Sequence, residues 1–238
     1  SSLAGVILRM KSLRLGQVEQ FPFLEAPRAK AIADGYDLLG ELGAVDDDNE
    51  LTPIGHELSR LPLDPRVGRM ILAAREQQAL AEVLVIAAAL SGQDVRDRPL
   101  EQQQAADQQH KPFDDEKSEF MGTLKLWRWI EAGRGTHGRK DGGDQHKLSN
   151  RQQEQRLRDA FISVRRVREW RDIHSQLLTV VAEHGWRRNQ APATYEQIHL
   201  ALLTGLLGNI GCKAEDDEFY LGARGIKFWR HPGAHLSK

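Results

Sequence analysis

A chain of 238 residues, 40% hydrophobic and 28% charged with 9 prolines, has the composition of a soluble globular protein with one large domain or a few small ones, and not of a disordered or fibrous one. A formal net charge of -1 and a pI near 6.8 exclude a global attraction to nucleic acid or anionic lipid, so any such surface has to be local. From Arg151 onward there are 14 Lys and Arg against 10 Asp and Glu, a balance of +4, whereas the residues before it carry 19 against 24, so the basic side lies late in the chain.

In chain order, Leu3, Ile7, Leu8 and Met10 share one helical face, and Ile32, Tyr36, Leu39 and Leu42 share another. Gly43 is a natural stop. Ala44-Val45 and Leu51-Thr52 then flank the polar run Asp46 to Glu50, the composition of a small hairpin or wing. Thr52 as N-cap and Pro53 in the first turn open a third short helix from Ile54 to Leu61. Helices followed by a two-stranded ribbon predict a winged-helix module.

From Pro65 the pattern becomes that of a helix bundle, with Val67, Met70, Ile71 and Ala74, then Ala81, Leu84, Val85 and Ala88, each group on one face. Phe120, Leu124, Trp127 and Ile130 predict a further helix. Gly133 to Asn150, rich in Gly, His and Lys, reads as a mobile loop. One long helix is expected from about Asn150 to His184, with Trp170, Ile173, Leu177, Val180 and Val181 on its core stripe and Arg165, Arg168 and Asp172 elsewhere. Tyr195 to Ile210 is apolar nearly all round, predicting a buried helix ended by Gly211. Glu218 to Gly222 and Ile226 to Trp229 are β-prone runs joined by Ala223-Arg224-Gly225, as paired strands would be. Two strands cannot bury a sheet face alone, so a β-domain is expected to begin here and to be cut at Lys238.

The longest apolar run, Ile198 to Ile210, is interrupted by Thr204, Gly205 and Gly208 and falls short of the roughly 20 residues that span a bilayer. Cys212, the one cysteine, excludes an intrachain disulfide and fits a reducing compartment, with cytoplasm the default. The chain starts at Ser1, without an initiator methionine or a signal pattern, and reads as a cut fragment.

Several strings, in order, resemble the region after the second RecA-like domain of DEAH-box RNA helicases. Ser2-Leu3-Ala4-Gly5-Val6-Ile7-Leu8-Arg9-Met10 and Phe21-Pro22-Phe23-Leu24-Glu25-Ala26-Pro27 are similar to its opening. Leu42-Gly43-Ala44-Val45, Leu51-Thr52-Pro53-Ile54-Gly55 and Leu61-Pro62-Leu63-Asp64-Pro65 resemble its winged-helix hallmarks. Leu90-Ser91 with Arg96 to Pro99, and Ala105-Ala106-Asp107 before His110, resemble its helical-bundle or ratchet domain. The strings Arg165 to His174, Leu203 to Leu207 and Tyr220 to Phe228 are similar to bacterial HrpA-type helicases, the last two leading into an OB-fold. The Gly133 to Asn150 insertion departs from the pattern.

The resemblance implies a mainly α chain: a winged helix at 1–63, a ratchet bundle at 64–190 and the truncated start of an OB-fold at 191–238. It also implies a role guiding single-stranded RNA during 3′ to 5′ unwinding, with RecA-like motor domains of the same parent chain as partners and ATP and Mg²⁺ as that parent's cofactors. No cofactor is expected in the fragment, and alone it should be inactive. The motor's motifs are absent from the sequence: in Gly133 to Lys140 the position after Gly138, where a phosphate loop has its lysine, is Arg139, with no strand before the stretch and no apolar helix after it, and Asp115-Glu116 lacks the apolar strand of a Mg²⁺-binding acidic pair.

Other sites read more simply as structure. Asp46, Asp48 and Glu50 have calcium-loop spacing, but Leu51 stands where the turn glycine belongs, so a hairpin tip is expected. His231 and His235 are spaced like zinc ligands, yet Pro232-Gly233 separates them and only Cys212 offers a thiolate. No nucleophile motif anchors a Ser/His/Asp arrangement. The candidate RNA-binding residues are Arg165, Arg166 and Arg168, with Arg171 nearby, and Arg224, Lys227 and Arg230, which alternate with Phe228 and Trp229. For the first group, ion pairing with Glu169 and Asp172 stands as an equal reading; for Phe228, core packing does. The helix from Pro53 to Leu61 offers only His56 and Arg60 against Glu57, so the winged helix is expected to serve as a structural hinge and not to read DNA. Two rival functions follow from the same residues: a scaffold receiving an activator or ribosomal partner, and a freestanding winged-helix regulator of duplex DNA.

Overall fold

The computed structural model describes residues 3–135 and 148–206, and the backbone of 211–213, 219–222 and 227–229. The protein is mainly α and forms two compact units. The first joins Ser1–Val83 to Ala182–Trp229; the second, in its described residues, runs through 84–135 and 148–181.

In the first unit, α1 (Ala4–Ser12) buries Ala4, Ile7, Leu8 and Met10 against α2 (Ala29–Glu41). Gly35 makes that approach possible, since a Cβ there would stand 2.7 Å from Ile7 Cδ1. Gly43, at φ 71°, ends α2 in the left-handed region. The chain then makes the expected wing in its smallest form, a single antiparallel bridge between Val45 and Leu51. Its tip is closed by Asp46, whose Oδ1 accepts the backbone N–H groups of Asp48 and Glu50, both at 2.9 Å. The alternating acids are therefore a turn device. Thr52 Oγ1 accepts from Gly55 N at 3.1 Å and donates to the Gly43 carbonyl, and with Pro53 it starts α3 (Pro53–Ser59).

Asp64 caps α4 (Pro65–Glu76) by accepting from Arg66 N at 2.9 Å. Against α4 packs a helix from the far end of the chain, α10 (Tyr195–Leu206). Their approach is close because residue 205 is glycine: a Cβ there would run into the Arg66 carbonyl and stand 2.7 Å from Met70 Cγ. Thr204 Oγ1 adds a hydrogen bond to the Arg69 carbonyl at 3.3 Å. The expectation of burial nearly all round is corrected here. α10 buries Ile198, Ala201, Leu202 and Gly205, while Leu200 is 52% and Leu203 40% exposed, because the neighbouring helix covers one face.

The start of α5 (Leu80–Ser91) is tied to the segment before α10 by Asn189. Its Oδ1 accepts from Ala81 N at 2.8 Å and its Nδ2 donates to the buried Glu82 carboxylate at 2.7 Å, which also accepts from Ala193 N at 3.0 Å.

Beyond Val83 the helices of the second unit are the rest of α5, α6 (Gln103–His110), α7 (Glu119–Arg134), α8 (Asn150–Asp159) and α9 (Val164–Glu183). The predicted single helix from Asn150 to His184 is two. Ser149 opens α8 with a capping box shared with Gln152. At its end Phe161 takes φ 56°, and the backbone turns to pair with the stretch after α5: Ser163 N donates to the Val95 carbonyl at 2.7 Å and Asp97 N to the Phe161 carbonyl at 2.8 Å. Hydrogen bonds that would have continued the helix are spent on this bridge. The part of the Gly133 to Asn150 stretch at 136–147 lies outside the described residues.

Ser118 caps α7, and Asp115 forms a half-buried turn just ahead of it. Its Oδ1 accepts from Lys117 N at 2.9 Å and Ser118 N at 3.2 Å, and Lys125 Nζ stands 3.3 Å from Oδ2. The backbone N–H of Lys117, together with Lys125, holds this carboxyl below its ordinary value.

At the C-terminal end, β1 (Gly211–Lys213), β2 (Phe219–Gly222) and β3 (Lys227–Trp229) form an antiparallel sheet in the order β1-β2-β3, with Cys212 opposite Leu221 and Tyr220 opposite Phe228. Gly211, expected as a helix stop, is the first residue of β1. Among the described residues no helix is long and apolar enough to cross a membrane.

Two outcomes test these contacts. Asn189→Ala strips donors and an acceptor from buried partners and should lower unfolding free energy by about 1.5–3 kcal/mol in urea titration. A depressed carboxyl stabilises above its unfolded pKa and loses that contribution as pH falls through the lower folded value. The urea midpoint of Asp115→Asn should therefore lie below wild type at neutral pH, with the gap closing below the ordinary carboxylate range.

Candidate nucleic-acid interface

Helix α9 owes its two-sided character to its start and its stripe. Ser163 Oγ accepts from Arg166 N at 3.3 Å, fixing the first turn, and Val167, Trp170, Leu177, Val180 and Val181 are buried, with Ile173 half-buried. Trp170 sets the rotation of the helix. Its Nε1–H donates to the Val85 carbonyl at 3.0 Å, and its ring meets Trp127 at 4.8 Å between centroids. With that side fixed inward, the arginines emerge elsewhere on the circumference.

Each has a carboxylate partner, so the ion-pair reading applies to the whole set. Arg165 Nη1 stands 3.6 Å from Glu169 one turn on. Arg168 Nη2 lies 2.5 Å from Glu154 on α8, and Arg158 Nη2 reaches the other oxygen of the same carboxylate at 3.2 Å. Arg171 Nε pairs with Glu131 of α7 at 2.9 Å. Arg166 Nη1 donates to the Asp94 carbonyl at 3.0 Å and stands 3.5 Å from Asp97. Asp172, the other expected partner, is exposed.

Exposure separates two kinds of arginine. The side chains of Arg165, Arg168 and Arg158 are 74%, 68% and 58% exposed. On the arginine side these pairs are open to water, although Glu154 itself is 30% exposed, and surface pairs contribute about 0–1 kcal/mol, so another anion can replace the carboxylate at little cost. Arg166 and Arg171 are about 30% exposed and tie α9 to its neighbours, Arg166 at the connector after α5 and Arg171 at α7, a holding role. Arg158 was not among the sequence candidates. Its signal was Glu154 four residues earlier, which marks an exposed helical face.

Of the second candidate group only the backbone of Lys227 is described. Lys227 opens β3, with its Cα opposite Leu221, while Arg224 and Arg230 lie outside the described residues, as do His231 and His235. On α3, Glu57 pairs with Arg75 of α4 at 3.2 Å, and Arg60 is exposed. Among the described residues no group of three or more His, Cys, Asp or Glu is placed to hold a metal ion.

Residues 36–63 match a family model for the winged-helix part of the helicase associated domain (HA2), and residues 64–179 match the model for its ratchet-like part. Among curated proteins, the chain is 43% identical over 243 residues to the ATP-dependent RNA helicase HrpA of Escherichia coli (strain K12), an alignment covering 100% of this chain and 18% of that protein. It is 41% identical over 246 residues to the ATP-dependent RNA helicase HrpA homolog of Haemophilus influenzae, again 100% of this chain and 18% of the relative. To the DExH-box ATP-dependent RNA helicase DExH1 of Arabidopsis thaliana it is 30% identical over 245 residues, 98% of this chain and 23% of that protein. The chain thus spans 18% to 23% of the length of these relatives.

Replacing Glu154 by Gln frees Arg158 and Arg168 from their shared carboxylate. Stability should change by less than about 1 kcal/mol in urea titration, the mark of an exchangeable surface pair.

Proposed function

This chain belongs to the helicase-associated (HA2) family, with its winged-helix and ratchet-like parts in order, and on that premise we propose that it is the C-terminal accessory region of an ATP-dependent DEAH-box RNA helicase, guiding single-stranded RNA during 3′ to 5′ unwinding. The observation that carries the reading is the end-to-end alignment with relatives named as RNA helicases, at 43% and 41% identity. In this reading the chemistry belongs to RecA-like motor domains of the same parent chain, which hold ATP and Mg²⁺, in the cytoplasm. This chain supplies grip and geometry.

Arg165 and Arg168 of α9, with Arg158 of α8, are the phosphate contacts we favour, because their side chains are more exposed than those of Arg166 and Arg171 and surface pairs are easily exchanged. Arg166, also on α9, supports them by its bond to the connector. We further propose that β1, β2 and β3 begin an OB-fold, on which Arg224, Lys227 and Arg230 contact RNA backbone. The small wing and the Glu57–Arg75 pair fit a winged helix that works as a hinge. A partner protein such as an activator or a ribosomal protein is the alternative occupant of the winged helix.

Affinity of the isolated chain should be weak, since sequence-independent binding scales with the number of phosphate contacts. Titration of labelled single-stranded RNA, duplex RNA and duplex DNA at two salt concentrations should give a preference for single-stranded RNA. Arg165→Ala with Arg168→Ala should flatten the plot of log affinity against log salt by about 1.4, as for two lost phosphate contacts. Sequence-selective duplex-DNA binding would favour a regulator, and an unchanged slope would remove these arginines from the interface.

A further inference from the structure

Just past α9 the string His184-Gly185-Trp186-Arg187-Arg188 forms a compact aromatic and basic knuckle in the first unit. Gly185, at φ 71°, turns the chain sharply. That turn brings the rings of His184 and Trp186 into a stack, with centroids 5.0 Å apart and planes 24° from parallel. The Arg75 guanidinium lies 4.7 Å from the centroid of the Trp186 ring, itself held by Glu57 at 3.2 Å and Glu76 at 3.1 Å. Trp186 thus contacts both the His184 ring and the Arg75 guanidinium of α4. Trp186 is half-buried and His184 exposed, so the ring pair reaches solvent at the imidazole.

Arg187 and Arg188, next in sequence, are both exposed, and neither has a carboxylate partner among the described residues. That separates them from the arginines of α9. The neighbouring acid is Glu183, exposed at the end of α9. Beyond the knuckle, Asn189 fixes the chain through Ala81 and Glu82, so the two cations are presented from a backbone held immediately behind them.

We propose that this knuckle is a binding site for single-stranded nucleic acid, in which a base extends the His184–Trp186 stack and Arg187 and Arg188 contact the adjoining phosphates. The proposal rests on the reading of the chain as an RNA-guiding region and adds a site outside α9. Stacked rings followed directly in sequence by exposed, unpaired arginines suit the binding of unpaired strands, because every base has a face to stack and every nucleotide a phosphate, whatever the sequence. An acidic peptide would use the cations and leave the ring stack without a task.

The test uses the whole 238-residue chain with labelled oligouridine, duplex RNA and polyglutamate. Both His184 and the two arginines are exposed, so the variants should fold, and urea titration verifies it. His184→Ala should weaken oligouridine binding about fivefold or more, with His184→Phe restoring it. Arg187→Gln with Arg188→Gln should lower the salt slope by about 1.4. If wild type binds oligouridine and these variants bind it equally well, the knuckle is overturned while the α9 interface stands. Equal loss of polyglutamate and oligouridine in the arginine variant, with His184→Ala silent in both, would make it a general anion surface and overturn the stacking site. No binding by wild type would overturn both readings.

Discussion

The fold turns on one side chain that reaches across 107 residues of sequence. Asn189 accepts from the backbone N–H of Ala81 and donates to Glu82, and the same carboxylate takes the N–H of Ala193. A buried carboxylate stripped of donors is costly, so the chain must return to this point wherever it has been. Closing so long a loop costs little more than closing a much shorter one, since the entropy rises only with the logarithm of length. The return then sets α10 in place against α4, where Gly205 lets the helices meet at the Arg66 carbonyl. The first unit is therefore discontinuous in sequence, and the second occupies the interval.

Charge is arranged to be locally useful in a chain that is nearly neutral. Along α9 every arginine has an acid beside it, yet these pairs differ in what they do. Arg166 and Arg171 fasten α9 to the connector after α5 and to α7, while Arg165 and Arg168 are themselves largely exposed to water, where an ion pair is weak. Exposed, weakly paired cations can exchange a carboxylate partner for another anion at little cost. A permanently bare basic face would bind more tightly and repel itself.

The winged-helix part is built from little structure. One bridge, an aspartate closing the tip and a threonine joining wing to helix form it, and Glu57 of α3 is engaged with Arg75 of α4. The helix that would face DNA in a regulator is thus partly committed to the neighbouring helix.

Local rules were enough for much of this. The Thr52-Pro53 start, the stop at Gly43, the stripes of α1 and α2, the Asp46 turn and the buried side of α9 all follow from interactions within a few residues, and these a linear pattern records. The order of motif strings also sufficed to indicate the helicase resemblance. Three features were decided only by tertiary structure. The break between α8 and α9 depends on Val95 and Asp97, distant residues whose backbone groups compete with helix continuation at Phe161 and Ser163. The half-open face of α10 depends on which helix covers it, whereas composition records only that it is apolar. Finally, whether an arginine is bare, loosely paired or structurally committed depends on carboxylates contributed by other helices. Glu154 and Glu131 became partners of α9 through the packing of α7 and α8, and no spacing along α9 itself encodes them.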